Sequence, residues 1–166
     1  LKLIKYNTMK TKLFNVFLVC FFANLYTSQT IIQTADLKIT KIATILKDKG
    51  YDIVEQSETY LKIKNNEGSM VFIDLDPAKK YLYFNIKVLL KNDTPKAKID
   101  QLVHDINDLN MIKAKYIAED NSIFFQYFYW ITNSFTLESF EDAIVEFFLY
   151  QGDTFNIDKE KIFNYD

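Results

Sequence analysis

The sequence contains no arginine and only one cysteine, one histidine, two prolines and three glycines in 166 residues. Hydrophobic residues make up 49% and charged residues 25%, which is typical of a globular chain and excludes a disordered or low-complexity one. The three glycines are far apart in the sequence, so no glycine-rich phosphate loop is expected. A chain of this length is long enough to bury a sizeable core as one domain.

The amino terminus has the pattern of a secretory signal peptide. Lysines precede an apolar run at residues 13–22, which is too short to span a membrane as a helix. We expect residues 1–28 to be the signal, with cleavage before Gln29 and with residues 1–8 as a non-native start ahead of Met9. The expected location is periplasmic or secreted, with no stable membrane span after cleavage. The alternatives are a buried core helix and a lipidated Cys20.

Cleavage of that signal would change both the cysteine content and the charge. Cys20 would leave with it, so no disulfide, thiol nucleophile or cysteine metal site is expected. Four of the 20 lysines would leave as well. The remaining chain would have 16 lysines and 22 acidic residues, a net charge near −6. That balance argues against nucleic acid as a partner, because binding to phosphates depends on basic side chains.

The remaining sequence alternates between helical and strand-like periods. Turns and caps separate the segments: Thr34 or Asp36 can cap the start of the first helix, Gly50 can follow its end, and Thr94-Pro95 opens the second helix. Helices are predicted near residues 35–49, 95–107 and 136–151, and strands at 51–56, 60–65, 70–76, 81–90, 113–119 and 122–131. The order α-β-β-β-β-α-β-β-α predicts a two-layer α+β fold, with helices packed on an antiparallel sheet. Residues 29–155 form the predicted domain and residues 156–166 a loosely held tail.

Two groups of residues could carry chemistry, and for each we favour an ordinary structural role. Asp74 and Asp76 lie on one face of a strand, but no histidine or third carboxylate is near them in sequence. His104, the only histidine, falls on the flank of the second helix, without a nucleophile motif in the chain. We therefore expect no catalytic residue, no cofactor and no metal site.

The segment from Phe124 to Ile131 is the most unusual part of the sequence, because both of its alternating sets are aromatic apart from Gln126. One interpretation is a central strand that is covered on both faces. The other is that Phe125, Tyr127 and Tyr129 form an exposed patch that binds a partner or a second copy of the chain. These three residues are the candidate partner-binding site.

Three segments of the chain together resemble the YbjN-like proteins, which share the fold of type III secretion chaperones. They are residues 107–110, the hairpin at 115–123 and the start of the last helix at 135–138, and the resemblance covers roughly residues 36–155. It implies a non-enzymatic module that binds or regulates a protein partner, is often dimeric and has no cofactor. The export signal departs from the family, whose members are mostly cytosolic.

Together these observations predict an exported, non-enzymatic module that binds a peptide or protein partner on a sheet surface. The alternative is a small-ligand carrier or a hydrolase-like cup, in which His104 or Asp74 works inside an enclosed pocket. A third possibility is a structural envelope protein without a ligand. The identity of the partner and the oligomeric state do not follow from the sequence.

Overall fold

The computed structural model of the chain describes residues 29–164. Contacts divide the chain into two units, residues 1–30 and residues 31–166, and every described helix and strand belongs to the second unit. The predicted signal peptide at residues 1–28 lies outside the described residues. Within residues 29–164, no helix is both long enough and apolar enough to cross a membrane.

The described residues form eight strands and three α-helices. In chain order the elements are β1 (Ile31–Gln33), α1 (Ile39–Asp48), β2 (Asp52–Gln56), β3 (Tyr60–Lys64), β4 (Met70–Leu75), β5 (Tyr81–Leu89), α2 (Lys96–Asn107), β6 (Lys113–Ile117), β7 (Ser122–Trp130), β8 (Ser134–Thr136) and α3 (Leu137–Ile157). A single 3₁₀ turn, Ala118–Asp120, joins β6 to β7. All nine elements predicted from the sequence are present.

Six of the strands form one antiparallel sheet in the order β2-β3-β4-β5-β7-β6. Strands β2 to β5 follow one another as a meander, as predicted, and β7 pairs along the whole length of β5. Strands β2 and β6 are the two edges. The predicted α+β fold with an antiparallel sheet and packed helices is therefore confirmed.

The helices cover one face of this sheet. Apolar residues alternate with polar ones along β3 and β4, so that Leu61, Ile63 and Ile73 point to the same side and are fully buried. Buried residues of all three helices, such as Ile42 and Phe140, join them in a single core cluster. The core is thus the layer between the helices and one sheet face.

Strands β1 and β8 form a separate two-stranded sheet that the sequence did not predict. The Thr34 hydroxyl lies within hydrogen-bond distance of the carbonyl oxygens of Thr132 and Asn133, at 2.8 and 2.9 Å. Thr34 was predicted as a possible helix cap. It instead joins the segment before α1 to the segment before α3.

Three predicted helix boundaries are wrong. The first helix begins at Ile39, after Lys38, and not near residue 35. The second helix begins at Lys96, so Pro95 is the residue before the helix, and the Thr94 hydroxyl donates to the Lys91 carbonyl instead of capping the helix. The last helix does not end before Gly152 but continues to Ile157. Gln151 and Thr154, on either side of Gly152, are both buried, so the buried side of the helix continues past the glycine.

The segment after α3 is held against the domain, which corrects the prediction of a loose tail. The buried Asp158 carboxylate accepts hydrogen bonds from the backbone N–H groups of Ile162 and Phe163 at 3.0 and 2.9 Å. Both apolar side chains are buried, and Phe163 pairs with Leu90 at the end of β5. The predicted domain boundary at residue 155 falls inside α3.

Candidate protein-binding surface

The two aromatic sets of β7 lie on opposite sides of the sheet. Phe125, Tyr127 and Tyr129 face the helices, whereas Phe128 and Trp130 are 42% and 65% exposed on the other side. Within residues 29–164 the strand is therefore covered on one face only. The prediction that Phe125, Tyr127 and Tyr129 form the exposed patch is wrong, because they are on the face that the core occupies.

The contacts of these three residues explain their burial. The fully buried Phe125 ring meets the rings of Phe155 and Phe163 at centroid distances of 6.5 and 5.8 Å. The Tyr129 hydroxyl lies 2.6 Å from the Ser139 hydroxyl, in the first turn of α3. Burial also raises the pKa of both Tyr127 and Tyr129. Phe125 thus contributes to the core, and the two tyrosines line its border.

The opposite side of the sheet presents seven aromatic side chains. Cross-strand pairing places Tyr60, Asp74, Tyr83 and Phe128 in one row across β3, β4, β5 and β7. The neighbouring rows add the remaining rings. We call this surface the aromatic face, and its aromatic members are Tyr60, Phe72, Tyr81, Tyr83, Phe124, Phe128 and Trp130.

Five of these rings pack on one another and so have defined positions, and Tyr60 and Phe72 form a separate pair. Phe128 lies 4.8 Å from the Tyr83 ring and 5.2 Å from the Tyr81 ring, measured between centroids. Tyr81 in turn meets Trp130 at 5.5 Å with nearly perpendicular planes. Such ring pairs are favourable beyond the area they bury. The result is an ordered apolar platform that stays accessible at Phe128 and Trp130.

Polar groups lie between these rings. The Tyr83 hydroxyl donates to Gln126 Oε1 at 2.7 Å, and Asn85 Nδ2 donates to Asp74 Oδ2 at 2.5 Å. Burial raises the pKa of the Asp74 carboxyl, and burial with the nearby Asp74 charge raises the pKa of Tyr83 to about 12. The aromatic face therefore combines apolar area with fixed donors and acceptors.

Lysines lie on the two sides of the aromatic face. On the β3 side, Lys62 Nζ sits 5.0 Å from the centroid of the Phe72 ring. Toward the β6 edge, Lys87 forms an ion pair with Asp120. The face is thus bordered by basic side chains, and Asp74 places a carboxylate in its interior.

The other residues considered for chemistry lie elsewhere. Asp76 Oδ2 accepts the backbone N–H of Lys80 in the turn after β4 at 3.0 Å, which is a structural role. His104 has a side chain 68% exposed on α2 and lies 3.7 Å from Asp108. In residues 29–164 no three His, Cys, Asp or Glu side chains are grouped in a way that could hold a metal ion.

A groove lies between α1 and the edge strand β2. Its volume is about 930 Å³, and its walls include Thr40, Thr44, Lys47, Val54 and Gln56. Neither His104 nor Asp74 is among the residues that line it. The groove therefore does not bring together the groups that a hydrolase-like cup would need.

Polar residues in the sequence indicate which side of β7 faces solvent. Gln126, the one polar residue in the aromatic run, shares its side of β7 with Phe124 and Phe128. It pairs with Asn85, which lies on the same side of β5 as Lys87. Polar residues at these alternating positions indicate the solvent-facing side.

The architecture defines a two-layer α+β protein with one helix-covered and one open sheet face. It is similar to the crystal structure of YbjN from E. coli, a protein proposed to regulate transcription, with a TM-score of 0.61 and 16% sequence identity. The match covers 75% of this chain and 94% of the YbjN chain. The YbjN-like fold predicted from the sequence is therefore confirmed, at the level of the fold.

Comparison of the sequence gives no further relationship. No protein-family model and no curated protein matches it. The function is therefore argued from the surface itself.

Proposed function

We propose that this protein is a non-enzymatic, exported module that binds a segment of a protein partner on the aromatic face. The observation that carries the proposal is the exposure of Phe128 and Trp130 at one end of a packed group of five aromatic side chains. Contiguous apolar patches on a protein surface mark sites of interaction. Tyrosine and tryptophan are also enriched where partners meet.

The shape of the surface favours a protein segment over a small molecule. A small ligand is usually enclosed in a concave pocket, whereas the aromatic face is one side of a six-stranded sheet. Gln126 supplies a half-buried amide group between the rings, which can meet the backbone or side chains of a bound segment. We expect the rings to provide the affinity and this amide to set the orientation.

The small-ligand or hydrolase-like alternative has less support. It needs His104 or Asp74 inside an enclosed pocket, but His104 is exposed on α2 and Asp74 lies on the aromatic face. We therefore assign no catalytic residue and no cofactor.

Export is the part of the proposal that rests on the amino-terminal sequence alone. The lysines before the apolar run at residues 13–22 support it. An exported protein would meet its partner outside the cytoplasm. The role in transcription proposed for YbjN of E. coli is therefore not carried over to this chain.

Selection of binding peptides tests the proposed function. A display library of random 12-residue peptides is panned on the protein, and the selected peptides are titrated while the fluorescence of Trp130, the only tryptophan, is followed. We expect selected peptides to shift that emission to shorter wavelength. We also expect the double variant Tyr81→Ala, Phe128→Ala to bind them at least tenfold more weakly.

The matched control is Leu149→Ala, which removes a side chain 63% exposed on α3, an element of the opposite layer. This control is expected to bind like the wild type. Failure to select any peptide contradicts the proposal. Selected peptides that bind the double variant as tightly as the wild type contradict it too. Sedimentation of the free protein as a dimer that the double variant disrupts would identify a second copy as the occupant.

A further inference from the structure

Asp74 is a carboxylate set among aromatic rings. It lies on β4 in the interior of the aromatic face, directly opposite Tyr60 of β3 on one side and Tyr83 of β5 on the other. Phe72 precedes it by two residues on the same side of β4, and its ring lies 6.0 Å from the ring of Tyr60. The side chains of directly opposed residues are about 5 Å apart at Cβ.

The negative charge of Asp74 has no cationic partner in the part of the chain that the structure describes. No ion pair within 4.0 Å joins a lysine of residues 29–164 to it, although five other carboxylates have lysine partners. Its one hydrogen-bond donor is the side-chain amide of Asn85. Partial burial without a cation disfavours the charged form and raises the pKa of Asp74.

We propose that Asp74, Tyr60 and Tyr83 form a subsite that receives a lysine or arginine side chain of the bound segment. This inference rests on the proposed function, because the cation belongs to the same partner. The carboxylate would form the ion pair, and the faces of the two phenol rings would attract the cation and cover its aliphatic stem. Desolvation by the partner would strengthen both interactions.

Two neighbouring contacts support a basic side chain as the occupant. Glu55 accepts a hydrogen bond from the Tyr60 hydroxyl, so a second carboxylate lies at the rim of the subsite. Lys62, on the strand next to Asp74, places its ammonium over the Phe72 ring, so a ring of this surface already binds a cation from within the chain. An acidic segment would be repelled at this point by Asp74.

The same contacts disfavour a metal ion at this place. The neighbouring carboxylate of Asp76 accepts the backbone N–H of Lys80, and its position is set by that turn. Three acidic, histidine or cysteine groups do not come together within residues 29–164. A single carboxylate with an amide and two phenols matches an ammonium or guanidinium group better than a divalent cation.

Substitution in both partners tests the subsite. Peptides selected by panning are resynthesised with lysine replaced by norleucine, which keeps the stem, or with arginine replaced by citrulline, which keeps the shape. Each peptide is titrated against the wild type and Asp74→Asn, with Trp130 emission as the readout. Loss of a charge-assisted hydrogen bond predicts binding weaker by about ten- to hundred-fold for either change. The neutral peptide and Asp74→Asn together should weaken binding little more than either change alone.

Asp74→Asn keeps an oxygen that can accept the Asn85 amide, so the fold is expected to remain intact, as circular dichroism would verify. The matched control is Asp108→Asn, which removes the same charge from a site 70% exposed at the end of α2. It should leave binding unchanged.

Three results would overturn the subsite. Selected peptides could lack basic residues, their neutral analogues could bind equally well, or Asp74→Asn could bind like the wild type. In each case a Trp130 response that depends on Phe128 would still support peptide binding on the aromatic face. The two proposals therefore fail separately.

Discussion

Neighbouring residues of β7 have similar chemistry but different environments. The Phe125 side chain is fully buried under the helices, whereas Phe128, three positions later, is 42% exposed on the aromatic face. Two phenylalanines on one strand therefore have different surroundings, because the side of the sheet decides what each of them contacts. Substitution of each phenylalanine by alanine should therefore change the stability of the fold by different amounts.

We predict that Phe125→Ala lowers the free energy of unfolding by about 3–5 kcal/mol, since it opens a cavity in the core. Phe128→Ala loses ring contacts with Tyr81 and Tyr83, which are worth about 1 kcal/mol. Urea unfolding of the two variants, followed by circular dichroism, measures both values. Equal losses of stability would contradict the assignment of the two faces.

The charge of Asp74 is expected to cost stability at neutral pH. Burial raises the pKa of Asp74 in the folded chain above its ordinary value of 3.8. At a pH between the unfolded-state pKa and the folded-state pKa, the folded chain therefore holds more protons than the unfolded chain. The contribution of Asp74 to stability therefore falls as the pH rises through that window. No cation within 4.0 Å in residues 29–164 offsets the cost.

Asp74→Asn should accordingly unfold at higher urea concentration than the wild type at neutral pH, with a gain of about 0.5 kcal/mol. The gain should vanish below pH 3.8, where the carboxyl is protonated in both states. Tyr60 and Tyr83, which face Asp74 from β3 and β5, titrate well above this range. A variant less stable than the wild type at neutral pH would be inconsistent with this account.

At the scale of elements, the end of α3 and the segment after it complete the core. Phe155 lies on the last turns of the helix, and Phe163 follows the helix. Their rings pack edge to face with centroids 5.5 Å apart, and both rings contact the ring of Phe125. The turn between them is fixed by the Asp158 carboxylate. The carboxyl-terminal segment thus acts as a part of the helical layer.

Asp158→Ala is predicted to lower the free energy of unfolding by about 2–3 kcal/mol, because two buried N–H groups lose a charged acceptor. Hydrogen exchange at the amides of Ile162 and Phe163 should accelerate. Asp153→Ala, at an exposed position of α3, serves as the control and should change stability by less than about 0.5 kcal/mol. An equal effect of the two substitutions would show that Asp158 does not hold the segment.

The sequence predicted the elements better than the surfaces they form. Alternation in β3 to β5 identified the strands, and Gly50, with φ of 88°, marks the end of α1 as expected. Strands β1 and β8 have only three residues each, which is too short for a visible period. Because both sides of β7 are aromatic, its alternation sorts the residues into two sets without showing which set is buried.

At the scale of the whole molecule, the three helices of residues 29–164 cover one sheet face, and the proposed binding surface is the other face. Export would place that surface outside the cytoplasm, with a chain of net charge near −6 after loss of the four amino-terminal lysines. The partner would thus be an extracytoplasmic protein with a segment that carries both apolar and basic side chains.

Export itself is tested by expression of the full sequence in a bacterial host and by sequencing of the protein that leaves the cytoplasm. We predict that the mature chain begins at Gln29, because cleavage follows the small residue Ser28. Recovery of the protein intact in the cytosol would contradict the proposed location. Binding on the aromatic face would be unaffected by that result.

The most direct test of binding on the aromatic face is quenching of Trp130 fluorescence by acrylamide, with and without a selected peptide. The indole is 65% exposed in the free chain and is the only tryptophan, so the signal reports on this surface alone. We predict efficient quenching of the free protein and a several-fold smaller quenching constant at saturating peptide. Quenching that is unchanged by bound peptide would contradict the account.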